Sequence, residues 1–183
     1  MDGKRRDWMI AMLARDNRIL DAQIMASLQN GTAFFASTSL ISIGGAITLL
    51  RAPDDLLQVF GGFGGGGTAT RSLWELKVIG LAVIFTYAFF KFSWSYRLFN
   101  YCAILMGAVP PGRDEETLKK AERAAAMNVV AGRHFNRGQR AFFFALAYLG
   151  WFIGPVPLIA TTSFVLIVMW RRHFASDASD AVL

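Results

Sequence analysis

Lys91 is the residue best placed to do chemistry. It closes an uncharged run over 78–90 and is followed by further apolar residues to 96. Inside lipid such a charge costs about 2.5–3.5 kcal/mol at the centre of a span and marks a site by default. Two readings stay open. Lys91 lies six residues from Arg97, about 9 Å along a helix, so its stem can carry the ammonium toward water. In the other reading it is buried in a pair or touches a substrate. Trp94, one turn on, offers a cation–π partner.

Asp16 is the acid that such a network would use. At about 100° per residue, Trp8, Met9, Met12, Leu13, Ile19, Leu20 and Ile24 share one broad face of an N-terminal helix. Arg15, Arg18 and Asp21 lie opposite, whereas Asp16 and Gln23 fall inside the apolar face. An ion pair from Asp16 to Arg97, Arg137 or Arg140 would latch that helix onto the rest of the chain. The alternative is a carboxylate tipped toward headgroups.

The remaining patterns read as structural. His134 and His173 stand 21 residues before and 18 after Pro155, without the carboxylate or cysteine cluster that a metal or haem site wants. Gly62, Gly64 and Gly67 spell GxGxxG with no strand before it or amphipathic helix after it, and so read as spacer. Asn30-Gly31-Thr32 is a glycosylation sequon that the topology places on the cytoplasmic side, where it has no use. Thr38, Ser42 and Ala46, with Gly45 beside them, form a small-residue stripe for close helix packing. Cys102 is the only cysteine, so no intramolecular disulfide forms. With no Ser/His/Asp set, HExxH, Walker A or CxxC pattern, an enzyme has no nucleophile-and-base pair to start from. No catalytic residue, metal or cofactor is expected.

The elements that must position these residues are set by composition. The chain has 183 residues, 54% hydrophobic and 17% charged, with a mean hydropathy of +0.38. Soluble domains run at about 45–50% apolar and about 25% charged. An all-α membrane protein is the expectation: four transmembrane helices preceded by an amphipathic surface helix. The net charge of +6 then points to membrane polarity rather than nucleic acid. Eight charged residues within 1–18 leave no apolar core for a cleavable signal, so the N-terminus is expected to be retained.

The surface helix occupies 1–29 and ends at Asn30-Gly31, a breaker. The first span covers 31–50, the glycine-rich loop 51–72 and the second span 73–98, with Trp74, Trp94, Tyr96 and Tyr101 as interfacial aromatics. Pro110-Pro111-Gly112 ends that helix. A helical segment within 99–134 then opens on Asp114-Glu115-Glu116, acids suited to a positive helix end, with Glu115–Lys119 and Glu116–Lys120 pairs.

The uncharged run 141–170 has 30 residues, more than the roughly 20 of one span and fewer than two full spans use. Gly154-Pro155-Val156-Pro157 removes two amide donors at its middle, which favours a reversal: a third span over 135–153, a turn over 154–157, a fourth span over 158–174 and a tail over 175–183. Charge agrees. Fifteen of the nineteen Lys and Arg residues then fall on the cytoplasmic side with both termini. A single span would carry Arg171 and Arg172 across.

Several segments also resemble a known family. Arg15-Asp16-Asn17-Arg18-Ile19-Leu20-Asp21, Phe34-Phe35-Ala36-Ser37-Thr38-Ser39-Leu40, Phe89-Phe90-Lys91-Phe92-Ser93-Trp94-Ser95 with Asn100-Tyr101, and Phe135-Asn136-Arg137-Gly138 are similar to the bacterial membrane proteins grouped as domain-of-unknown-function family 599. The resemblance spans roughly 8–172. It implies a multi-span integral membrane protein and assigns no activity, ligand or partner to any residue.

The expected role is a non-catalytic scaffold or accessory subunit of an inner-membrane assembly, self-associated or part of a larger complex, with a basic face for anionic headgroups. The rival is a transporter or channel subunit using Lys91 and the proline-broken hairpin. Against it stand the lack of a mid-span acid and of an inverted repeat.

Overall fold

The computed structural model describes residues 1–51 and 70–174, with the side chains of 172–174 excepted. The glycine run 61–67, the tail 175–183 and the side chain of His173 lie outside the described residues. Among the described residues six helices follow in order: α1 Asp2–Met12, α2 Ile19–Arg51, α3 Arg71–Gly107, α4 Glu115–Tyr148, α5 Gly150–Ile153 and α6 Pro155–Phe174. No strand occurs among the described residues.

The single helix expected within 1–29 is two. The amides of Leu13, Ala14 and Arg15 each bond three residues back, at 3.1–3.2 Å, which tightens α1 to its end. Asn17 Oδ1 then accepts the Ile19 amide at 2.9 Å, and the Arg18 carbonyl accepts the Ala22 amide, opening α2. Asn30-Gly31 breaks nothing, because one glycine costs a helix only about 1 kcal/mol relative to alanine and a 33-residue helix absorbs it. No break separates 99–134 from 135–153 either, since α4 runs unbroken across residue 134.

The helix starts follow local chemistry. Gly112, at φ +137°, turns the chain after Pro110-Pro111. Asp114 Oδ1 then accepts the Thr117 amide at 2.6 Å, and that bond holds its carboxyl below the ordinary 3.8. The expected pairs form at 2.6 Å (Lys119–Glu115) and 2.7 Å (Lys120–Glu116).

The chain divides into two compact units, one of Met1–Ala36 with Phe90–Gly138, the other of Ser37–Phe89 with Gln139–Leu183. The first unit packs Met9 and Met12 of α1 and Met25 of α2 against Phe99, Cys102 and Met106 of α3. Ala121, Ala124, Ala125 and Ala131 recur at helical spacing on the buried side of α4. Those alanines let α4 approach closely enough for the Cys102 thiol to reach the Ala124 carbonyl and the Ser95 hydroxyl to donate to the Ala131 carbonyl at 2.8 Å.

In the second unit Trp74 joins the start of α3 to the end of α2, donating its indole N–H to the Leu49 carbonyl at 3.2 Å and meeting Phe152 edge-on at 5.1 Å. Leu81 and Phe85 of α3 pack with Ala145 of α4. The chain reverses at Gly154. Gly150 lies against Pro157 and Thr161, where a Cβ would come within 2.6–2.9 Å, and Thr161 donates to the Ala147 carbonyl at 2.7 Å. That carbonyl sits at the end of α4, where the helix supplies no further donor.

Among the described residues two helices, α2 and α3, are long and apolar enough to cross a membrane. Their most apolar 18-residue windows are only 11% and 28% buried. Ile41 and Val156 are each 74% exposed and Phe164 67%. In water such surface would forfeit about 25 cal/mol per Å2.

Candidate functional site

Charge is concentrated in the first unit, which holds thirteen of the nineteen Lys and Arg residues and eight of the thirteen acids. Its centre is the junction of α1 and α2. Asp21, only 1% exposed, accepts the Trp8 indole N–H at 2.7 Å on Oδ1, and the Arg15 guanidinium donates to the same oxygen. Arg18 donates to the carbonyls of Val109 at 2.6 Å, Pro110 at 3.3 Å and Met106 at 3.4 Å. A cation there meets the partial negative charge and orphan carbonyls at the end of α3.

A second polar thread holds α1 to α4. Arg5 donates to Asn128 Oδ1 and lies 5.8 Å from the Phe99 ring centroid, while Asn128, fully buried, donates to the Cys102 sulfur at 3.6 Å. Gly132 makes room: a Cβ there would stand 2.9 Å from the Arg5 guanidinium carbon. Burial depresses the Arg5 pKa, against which Asp2 acts. At the rim Arg133 grips Asp2 through two nitrogens at 2.8 and 3.1 Å.

The six residues singled out in the sequence are only partly gathered. Asp16 is exposed in the connection between α1 and α2, and the buried acid of this region is Asp21. The difference is one of phase. With the helix interrupted over 13–18, α2 restarts its own register and turns Asp21, not Asp16, inward. Arg97 lies 5.9 Å from the Trp94 ring centroid and 5.4 Å from that of Tyr101, whose hydroxyl accepts its Nε–H at 2.6 Å. Trp94 thus packs with Arg97. Lys91 is half-buried and engaged with partners, Arg137 is exposed on α4, and both lie close enough to His134 to act on it. Arg140 is exposed in the second unit.

Burial, then the charges of Lys91 and Arg137, hold the His134 imidazole below its ordinary 6.5. Its Nδ1 is buried without a hydrogen-bond partner among the described residues. Beside it Phe35, Phe92 and Phe135 form a three-ring cluster with centroids 5.2, 5.6 and 5.8 Å apart. Gly138 accommodates Phe92, whose ring would lie 2.8 Å from a Cβ.

Sequence reading missed Asp21, Arg5 and Asn128. Asn128 carried a signal, as a polar residue within the alanine stripe of α4. Arg5 carried none. The arrangement neutralises charge, caps helix ends and fixes four helices together, and among the described residues no group of His, Cys, Asp and Glu is placed to hold a metal ion.

The sequence matches the family described as "Protein of unknown function, DUF599" over residues 1–178. No curated protein and no solved structure matches it.

Proposed function

For a chain that belongs to the family described as "Protein of unknown function, DUF599", we propose a role as a multi-span bacterial inner-membrane protein that acts as a non-catalytic scaffold or accessory subunit of a membrane assembly. The observation that carries this reading is the outward placement of apolar side chains on α2, α3 and α6, such as Ile41, Val83 at 62% exposure and Phe164. Lipid or a neighbouring helix is the natural contact for such surface.

On this reading the chain crosses four times, over 31–50, 73–98, 135–153 and 158–174, with residues 1–29 and both termini on the cytoplasmic side. The basic groups of the first unit attract anionic headgroups, at about 1 kcal/mol for each Lys or Arg near the surface. Partners attach through packed helices, as a homo-oligomer or in a larger complex. The polar networks around Asp21 and Asn128 support a scaffold because they join helix to helix.

Fusion reporters test the topology. A reporter at Leu183 should be active only in the cytoplasmic form and one inserted near residue 60 only in the periplasmic form. A periplasmic signal at Leu183 overturns the four-span arrangement. Purification in mild detergent, scored for stoichiometric partners and oligomer mass, tests the role; a monodisperse monomer without partners overturns it.

A further inference from the structure

Within the first unit α3 carries Phe90, Trp94, Arg97 and Tyr101 at spacings of four, three and four, which sets all four on one side of the helix. That side faces outward: Phe90 is 64% exposed, Trp94 47% and Tyr101 38%, and Arg97 is exposed with them. The Arg97 guanidinium lies against both neighbouring rings, and its Nε–H is spent on the Tyr101 hydroxyl. Its two terminal nitrogens have no hydrogen-bond partner among the described residues. Arg71, Lys119, Lys120 and Arg133 each meet a carboxylate. Arg97 meets none among the described residues, and no acid occurs in the sequence over 76–113.

We propose that Arg97 binds the phosphodiester of one anionic membrane lipid, its terminal N–H groups donating to the phosphate oxygens, with the lipid chains lying along Trp94 and Phe90. A guanidinium matches a phosphate with two parallel hydrogen bonds, and stacking on two rings with Nε anchored holds that fork ready. Depth agrees, and here the inference rests on the four-span reading. The second span, 73–98, has its middle near residue 85, so Arg97 stands about 17 Å from it along the helix, just beyond the roughly 15 Å that half the hydrocarbon core occupies. Trp94 then falls in the interfacial belt and Phe90 among the upper methylenes. Charge decides between lipid and a second copy. Two copies in one membrane run parallel, so pairing this face with itself would set two Arg97 side chains together with no acid between them. An anionic lipid supplies the missing charge.

The test is native mass spectrometry of the full chain in detergent, titrated with phosphatidylglycerol, phosphatidylethanolamine and inorganic phosphate. The first phosphatidylglycerol should bind at least about fivefold more tightly than phosphatidylethanolamine, the factor that one basic group near the surface contributes. Arg97→Gln should bring the two lipids level, and Arg97→Lys, which keeps the charge and loses the fork, should lose most of the preference. Lys119→Gln removes the same charge from an exposed ion pair elsewhere and should leave the preference intact. Equal binding of the two lipids by the native protein, a full preference in Arg97→Gln or Arg97→Lys, or the same loss in Lys119→Gln would each overturn the site. So would inorganic phosphate binding as tightly as phosphatidylglycerol, or a lipid-free dimer abolished by Phe90→Ala, which would give this face to a second copy. The fusion reporters read the topology separately: their expected signals without a lipid preference strike this site alone, whereas release of the chain by alkaline carbonate strikes the membrane reading as well.

Discussion

Asp16 and Asp21 lie five residues apart and have opposite fates. Asp16→Asn is expected to leave melting in detergent unchanged, within about 0.5 kcal/mol, as exposed substitutions do. Asp21→Ala leaves the Trp8 indole and the Arg15 guanidinium without their acceptor and should cost about 2–3 kcal/mol, since hydrogen bonds to charged groups lie in that range; thermal unfolding of the two variants checks the contrast. The sequence reading gave the docking role to Asp16 and set Asp21 on the polar face, because periodicity projected through residues 13–18 assumes a continuous helix. The stop was written in Asn17, a cap, rather than in any loss of apolar pattern. His134 adds a pH dependence. Its imidazole is held below the ordinary 6.5, so the protein binds fewer protons folded than unfolded. Stability should be complete above about pH 6.5 and fall as pH drops below it. His134→Gln should flatten that fall between pH 7.5 and 5, and an unchanged slope would show that other groups carry it.

At the scale of the element, α3 and α4 run antiparallel within each unit, and glycine decides how closely they meet. Phe92 sits over Gly138 in the first unit and Tyr148 over Gly80 in the second, where a Cβ would fall 2.2 Å from the hydroxyl. Gly138→Ala should therefore destabilise by about 1–3 kcal/mol, the usual cost of overpacking. Phe92→Leu in the same chain should recover part of it, and a double-mutant cycle measures the coupling. These contacts give physical meaning to segments that sequence could only recognise by likeness: Phe135 joins the three rings and Gly138 makes room for one of them. The helical class was legible from hydropathy, and the start of α4 from Asp114 and its acidic turn. Helix ends were less so. A Gly in a long apolar helix and a charged segment continuing into an apolar one both look like boundaries, yet backbone hydrogen bonding passes through each.

For the whole molecule, the division of charge sets the expected behaviour. The first unit holds 21 of the 32 charged residues, whereas the described helices of the second expose Leu40, Ile41, Ile159 and Phe164. The protein should resist extraction from membranes by alkaline carbonate and yield only to detergent; release at high pH would argue against spanning helices. Lys91 separates the two functional readings. If it serves only to reach water, Lys91→Arg and Lys91→Ala should both accumulate normally, whereas a transport role predicts that Arg keeps and Ala loses substrate-dependent growth or flux. The charge bias was countable from sequence alone; the three-dimensional grouping was not, because it depends on which stretches of α2, α3 and α4 pack together.

The Thr161 hydroxyl has a consequence for biosynthesis. Its bond to the Ala147 carbonyl joins residues on opposite sides of the reversal at Gly154, so the end of α4 lacks that donor until α6 has been made. On the four-span reading the arm that ends in α4 and α5 does not enter lipid with its backbone satisfied alone. The translocon should therefore hold the arm that ends in α4 and α5 until α6 emerges from the ribosome and release the two arms sideways together, and nascent chains truncated before residue 161 should remain crosslinkable to it.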